Sequence, residues 1–383
     1  MWVNDMNDSG IRHRGYAAFA ISGICAISSG IVVSLLQDGF GLSYAETGGL
    51  LSFMNIGNML AAFLAGYLPG KIGARATVLT LTLGYMLGYG TIAVSQQVIL
   101  LMGAFFLVGL AKGTALNRCT VMTGMHTADR SKSLQILHSC YACGALLCPF
   151  LIAGLSNYGN HAPMIGLAIC GLIIWLIFLS AHLPGKQDAV QTGDRRQRTD
   201  RSYLRSGTFW LLTAMVFCQN AAETSVTGWV VTYFRNREVL SGIFSAYTMT
   251  VMWSATLIAR LLLAFVIPVR NKPLALCLMG CGCTVLYILM IPLAEPVPAI
   301  LVLFLFSAAI AGVNPMSTAM TGKLMNPESM GVMLPVAACG GILMPAVIGF
   351  VANTVNLQVG MMMNLIPCMG IAVLGWIMWR KKE

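Results

Sequence analysis

Apolar runs of about twenty residues recur along this chain of 383 residues, separated by short polar breaks. A helix of roughly 20 residues crosses a hydrocarbon core of about 30 Å, so each run predicts a membrane-spanning helix. Twelve are expected. The first six cover residues 16 to 37, 45 to 68, 74 to 95, 98 to 119, 133 to 156 and 162 to 183. The second six cover 207 to 234, 243 to 267, 272 to 292, 297 to 320, 328 to 354 and 359 to 379. Between them lies the one long polar segment, Pro184 to Ser206. It divides the chain into an N-terminal six-helix bundle (1–183), a cytoplasmic linker (184–206) and a C-terminal six-helix bundle (207–383). The expected fold class is an all-α membrane protein with twelve transmembrane helices in two pseudo-symmetric bundles.

The halves repeat each other. ACGALLCP, from Ala142 to Pro149, returns as ACGGILMP, from Ala338 to Pro345, a shift of 196 residues (142 to 338). TVMTG, ending at Gly124, returns as TAMTG, ending at Gly322. Packed membrane helices favour small residues, which accounts for the residue types in these strings. It does not account for a proline five residues after both Gly144 and Gly340. Parallel repeats of six helices suit a transporter that alternates access to a solute site near the midplane, with the glycines and prolines as conformational elements.

Composition agrees, with 57% apolar and 9% charged residues. The net charge of +10 is distributed unevenly. With both termini inside, eighteen of the 23 Lys and Arg fall on the cytoplasmic side, and Arg235 and Arg237 alone fall in outer loops. That asymmetry is a topogenic signal and a contact with the lipid bilayer's anionic headgroups. Basic residues spread over many loops do not form a nucleic-acid-reading surface. The chain is expected to be a multi-pass protein of a bacterial inner membrane with both termini cytoplasmic, and a monomer. Its 12 cysteines fall within spans, where they read as small packing residues. No nucleophile with its base, no metal-ligand cluster and no Walker-type loop appears, so neither an enzyme nor a cofactor is expected.

The loop GYLPGKIGAR, Gly66 to Arg75, resembles the signature loop of the major facilitator superfamily at Gly66, Lys71, Gly73 and Arg75, with Gly70 where the family has an aspartate. The glycines suit close helix ends, and the cations can bind helix C-terminal carbonyls. Four spans are similar in pattern to the fucose:proton symporter family. The matches are His138, Gly144 and Pro149 in the fifth span, Glu223, Trp229 and Tyr233 in the seventh, Gly109 and Asn117 in the fourth, and Arg260 in the eighth. Gly113, with Lys112 beside it, stands where the fucose permease has an acid. The resemblance implies proton-coupled uptake of a small polar solute such as a sugar or an acidic sugar-like compound. It also implies a cavity lined by the first, fourth, seventh and tenth spans. Export or exchange of amphipathic compounds or organic anions is the alternative. Pro149 and its nearby glycines resemble an exporter motif incompletely, because Cys148 stands where that motif has a glycine.

Glu223 is the one acid deep inside an expected span, about 24 Å along its helix from Gly207 at 1.5 Å per residue. Intramembrane acids mark ion pathways or structural ion pairs, so Glu223 is expected either to carry the coupling proton or to hold a cation. Asn117, Gln219, Asn220 and Asn314 offer donors and acceptors to a solute. Lys112 can attract an anionic solute or snorkel to the surface, and Arg260 is expected to hold helix ends. Trp229 can stack on a solute ring or join an aromatic belt. His138 can relay a proton or pack.

Overall fold

The computed structural model describes residues 2–125, 130–159, 161–181, 202–240, 242–267, 269–324 and 329–381. Most of the expected linker lies outside them. Among the described residues regular structure is entirely helical. The first span is made of α1 (Trp2–Ile27) and α2 (Ser29–Phe40), followed by α3 (Tyr44–Ile72), α4 (Ala74–Val94), α5 (Val98–Met125), α6 (Arg130–Ser156) and α7 (Ala162–Ser180). After a 3₁₀ turn at Ser202–Arg205 come α8 (Gly207–Asn236), α9 (Thr248–Phe265) and α10 (Lys272–Met290). The last spans are α11 (Pro296–Ile310) with α12 (Val313–Leu324), α13 (Ser329–Thr354), and α14 (Leu357–Met362) with α15 (Leu365–Arg380).

Eleven segments of the described residues are long and apolar enough to cross a membrane. The expected seventh span, α8, is a 30-residue helix too polar to join them, because Gln219, Asn220, Glu223 and several threonines interrupt its apolar run. Large apolar side chains such as Ile99, Leu147, Phe150, Leu278 and Leu301 are exposed on the helices. In water such faces would collapse together; in lipid they are the ordinary outer surface. The molecule is a multi-pass membrane protein.

Three spans are broken. At Ser28, the Cys25 carbonyl lies 2.9 Å from Ser28 Oγ and accepts from Tyr89 Oη at 2.5 Å, so side-chain hydroxyls enter the helical ladder there. Between α11 and α12, Gly312 loosens the chain and Pro315 sits in the first turn of the new helix, where its missing N–H costs nothing. Between α14 and α15, Asn364 is fully buried and donates to the Ala222 carbonyl at 3.3 Å.

The helices group into two units. One takes the chain up to Val32 and the helices from Phe53 to α7; the other takes Val33–Ser52 and the described residues from Ser202 on. Each unit packs by the same scheme. In the first, α1 packs on α6, α5 and α7, and α4 packs on α5 and α7. In the second, α8 packs on α13, α12 and α15, and α10 packs on α11 and α15. For these helices the packing of the second unit repeats that of the first.

The repeated glycines lie at equivalent contacts. A Cβ on Gly144 would overlap the carbonyl of Ala20, and one on Gly340 would overlap the carbonyl of Phe217. Both are positions where the first helix of a unit and its fifth touch backbone to backbone. Pro149 and Pro345 lie inside the same two helices, α6 and α13.

Val33–Ser52, which the sequence pattern puts in the first half, packs with the second unit. Ser52 Oγ donates to the Ile342 carbonyl at 2.6 Å, and Gly48 lies against Pro345 and Gly349. Small residues on both helices allow this approach, a pairing that no local pattern reveals.

Gly144→Ala and Gly340→Ala are expected to destabilise the protein by about 1–3 kcal/mol each, since the added methyl pushes apart backbones that are already in contact. Gly154→Ala, with nothing within 4 Å of the new carbon, is expected to leave stability unchanged or slightly raised. Thermal unfolding of the purified variants in detergent checks both.

Candidate functional site

A chain of polar side chains crosses the second unit at the level of Glu223. Ser206 caps the start of α8 by accepting from the Phe209 amide at 3.4 Å, and the helix runs unbroken past the acid. Gln219 and Glu223, four residues apart, share one face of α8. Gln219 is buried, and its amide nitrogen donates to the Glu223 carboxylate. Its amide oxygen accepts from Asn314 Nδ2 at 3.2 Å. Asn314 reaches it because α12 restarts at Val313, which puts the asparagine in the first turn of a new helix. The order Asn314 to Gln219 to Glu223 delivers a donor to each acceptor in turn. Among the described residues the carboxylate is met by an amide, in place of the cation that a structural ion pair would supply. Thr227 Oγ1 donates to the Glu223 carbonyl at 2.8 Å, and Asn364 to the adjoining one at Ala222.

Asn220, also on α8, is half-buried, and its carbonyl lies near Gly341 of α13. Arg260 Nε donates to the carbonyl of Ala311 at 3.3 Å, capping the end of α11 just before the break. A cation at a helix C-terminus meets unpaired carbonyls and the negative end of the dipole.

Trp229 differs from both of its expectations. It is fully buried, its indole N–H donates to the Pro345 carbonyl at 3.2 Å, and Tyr44 stands beside it with ring centroids 6.1 Å apart. A side chain so enclosed neither lines a solute path nor reaches a membrane interface. Its large apolar surface is used in packing α8 on α13.

The other candidates lie in the first unit. Lys112 and Asn117 are on α5, as is Arg118, whose buried Nε has no hydrogen-bond partner among the described residues. His138 is on α6, edge-on to Phe19 at 5.9 Å. In the signature loop, Gly73 separates α3 from α4 at φ 88°, a left-handed conformation that a side chain resists. Arg75 Nη2 donates to the Leu179 carbonyl at 3.1 Å, near the end of α7, and Lys71 Nζ lies 4.6 Å from the Tyr67 ring centre. Gly66 is on α3, and its surroundings fall outside the described residues. Gly70 has nothing within 4 Å of where a Cβ would stand.

Sequence reasoning missed one charged pair. The first expected span stops at residue 37, but α2 continues to Phe40 and carries Asp38, which pairs with Arg235 near the end of α8. Each charge on its own looked like a loop residue. The available signal was the spacing of Gln37 and Asp38 from Ser34, which continues the helical face.

The Major Facilitator Superfamily profile matches residues 15–338. Among curated proteins, the chain is 27% identical over 249 residues to "Probable anion transporter 6" of Oryza sativa subsp. japonica, covering 57% of this chain and 56% of that protein. It is 28% identical over 172 residues to "Gallate transporter" of Pseudomonas putida, covering 43% and 38% respectively. The chain thus spans about half or less of the length of these relatives. Among solved structures, a point mutant of the nucleoside transporter NupG superposes with a TM-score of 0.79 at 11% identity, over 97% of this chain and 99% of that one. At that identity the likeness is one of fold. With the profile covering most of the chain and the transporter fold shared along nearly all of it, the chain belongs to the Major Facilitator Superfamily.

Proposed function

We propose that this protein is a proton-coupled symporter that takes up a small hydroxylated organic anion, such as a sugar acid, by alternating access. The observation that carries the proposal is the relay from Asn314 through Gln219 to Glu223. A carboxylate deep in a membrane helix and held by a neutral amide can change its charge without breaking an ion pair. Protonation turns it from a pure acceptor into a donor, so the Gln219 amide must rotate and Asn314 must follow. Proton loading thereby alters contacts between α8 and α12, two helices of one unit, which is what a coupling residue has to do.

An anionic solute is favoured by Lys112 on α5, beside the Gly113 that stands where the fucose permease has an acid, and by the names of the anion and gallate transporters among the relatives. Asn117 and His138, in the same unit as Lys112, supply further polar contacts for the solute's hydroxyls. In this proposal residues 1–183 and 207–383 form the two halves, joined by a cytoplasmic linker at 184–206, in a monomer of a bacterial inner membrane with cytoplasmic termini. Gly66, Lys71, Gly73 and Arg75 set the geometry of the signature loop during the transition. Gly144, Pro149, Gly340 and Pro345 serve as pivots within each half, with Arg260 fixing the α11 break.

The test is uptake into proteoliposomes under an inward pH gradient, with gluconate and gallate as probes. Glu223→Gln is expected to abolish gradient-driven accumulation while retaining exchange of solute across the membrane at equal pH. Accumulation equal to the parent would remove Glu223 from coupling. Lys112→Gln is expected to raise the KM for either anion at least tenfold, the loss of about 1.4 kcal/mol of charge-assisted contact, with thermal stability little changed. Asn314→Ala, which cuts the relay at its far end, is expected to slow gradient-driven uptake more than exchange.

A further inference from the structure

Where α2 and α3 meet the end of α8, a cavity of about 280 Å³ is lined by Ser34, Gln37, Asp38, Tyr44, Thr232, Arg235 and Asn236. Ser34, Gln37 and Asp38 stand three and four residues apart on α2, and Thr232, Arg235 and Asn236 repeat that spacing on α8. Each helix thus turns one polar face into the cavity. Every lining residue is polar, in a chain whose composition is 57% apolar.

Two of these side chains point to a ligand. Ser34 is 1% exposed and Thr232 is 5% exposed, and neither hydroxyl has a hydrogen-bond partner among the described residues. Serine and threonine in helices commonly bond back to a carbonyl one turn earlier, as Thr227 does here, so two unmet hydroxyls facing one cavity are unusual. Beside them, Arg235 pairs with Asp38. The aspartate is the looser partner, with its side chain 56% exposed against 18% for the arginine. Asn236 Nδ2 donates to Tyr44 Oη at 3.1 Å, closing the far wall.

We propose that this cavity is a binding site for a small polyhydroxylated carboxylate, distinct from the Glu223 relay. The ligand's carboxylate takes the place of Asp38 on the Arg235 guanidinium, where two parallel N–H···O bonds fit its geometry. Its hydroxyls meet Ser34 Oγ and Thr232 Oγ1, and Gln37 offers both a donor and an acceptor. The volume lies at the lower edge of small-molecule sites, about 300–1,000 Å³, and admits one short chain or a single ring. Displacing Asp38 unties α2 from α8, so occupancy of this site and release of that contact are one event. The charge asymmetry of the chain puts this end on the outer side, where an imported solute arrives first. The choice of ligand class rests on the organic-anion proposal above; the site itself rests on the cavity.

The experiment is equilibrium binding of gluconate and of gallate to the purified full-length protein, with thermal stability measured in parallel. Asp38→Asn removes the competitor and is expected to tighten binding severalfold, although it breaks an ion pair. Thr232→Val and Ser34→Ala are expected to weaken binding three- to tenfold each. Both should leave the empty protein as stable as the parent or more so, because an unmet hydroxyl is removed. Arg235→Gln is expected to abolish binding at this site. Weaker binding in Asp38→Asn, or unchanged binding in Ser34→Ala and Thr232→Val, overturns the proposal and leaves a water-filled cavity beside a structural ion pair. Binding lost in Lys112→Gln yet unchanged in all four cavity variants also overturns it, while the transport proposal stands. Binding that follows the cavity variants without any gradient-driven uptake upholds the site and overturns the symporter instead.

Discussion

Direct backbone contact between helices, at Gly144 in one unit and Gly340 in the other, governs what else each unit can do. Lipid supplies no hydrophobic drive between helices, so association depends on close van der Waals packing and on hydrogen bonds that lipid cannot offer. At these two positions the helices meet through a carbonyl on one side and a bare Cα on the other. Neighbouring contacts follow from that closeness. In the second unit, the indole N–H of Trp229 reaches the Pro345 carbonyl across the α8–α13 interface, and Gly341 lies within contact of Thr224.

With α8 so tightly held on one side, its polar residues are presented on the other. Gln219, Glu223 and Thr227 recur at four-residue spacing, which keeps them on one stripe of the helix. The break between α11 and α12 then brings Asn314 to that stripe. A continuous helix from Pro296 would pair its backbone internally and offer no free first turn there. At the break at Ser28 a buried hydroxyl meets the Cys25 carbonyl, and from the break at Asn364 a buried amide reaches the Ala222 carbonyl of α8. Polar side chains in this protein therefore do two jobs. Some satisfy backbone where helices separate, and a few, with Glu223 at their centre, face one another.

The departures from the family signature become intelligible at the level of contacts. Arg75 is satisfied by a carbonyl near the end of α7, and Lys71 by the face of Tyr67, so neither depends on the aspartate that Gly70 replaces. Positive φ at Gly73 explains why a glycine is needed at that turn. Arg235 does take a carboxylate, and its pairing with Asp38 joins two segments 197 residues apart (38 to 235).

The apolar runs, the 196-residue repeat and the signature loop were sufficient for the class and the superfamily, because each is written in local residue order. Gln219 beside Glu223 was legible for the same reason: four residues on a helix is one turn. Other features were decided by tertiary packing alone. Trp229 read either as a ring for solute stacking or as part of an aromatic belt until α13 enclosed it, and in the second unit Gly48 of Val33–Ser52 meets Gly349. Asp38 and Arg235 each resembled a loop charge, and their pairing depends on where two distant helices end. Local order specifies what a segment can form in lipid; which carbonyl, hydroxyl or charge it meets is settled only when another helix supplies the partner.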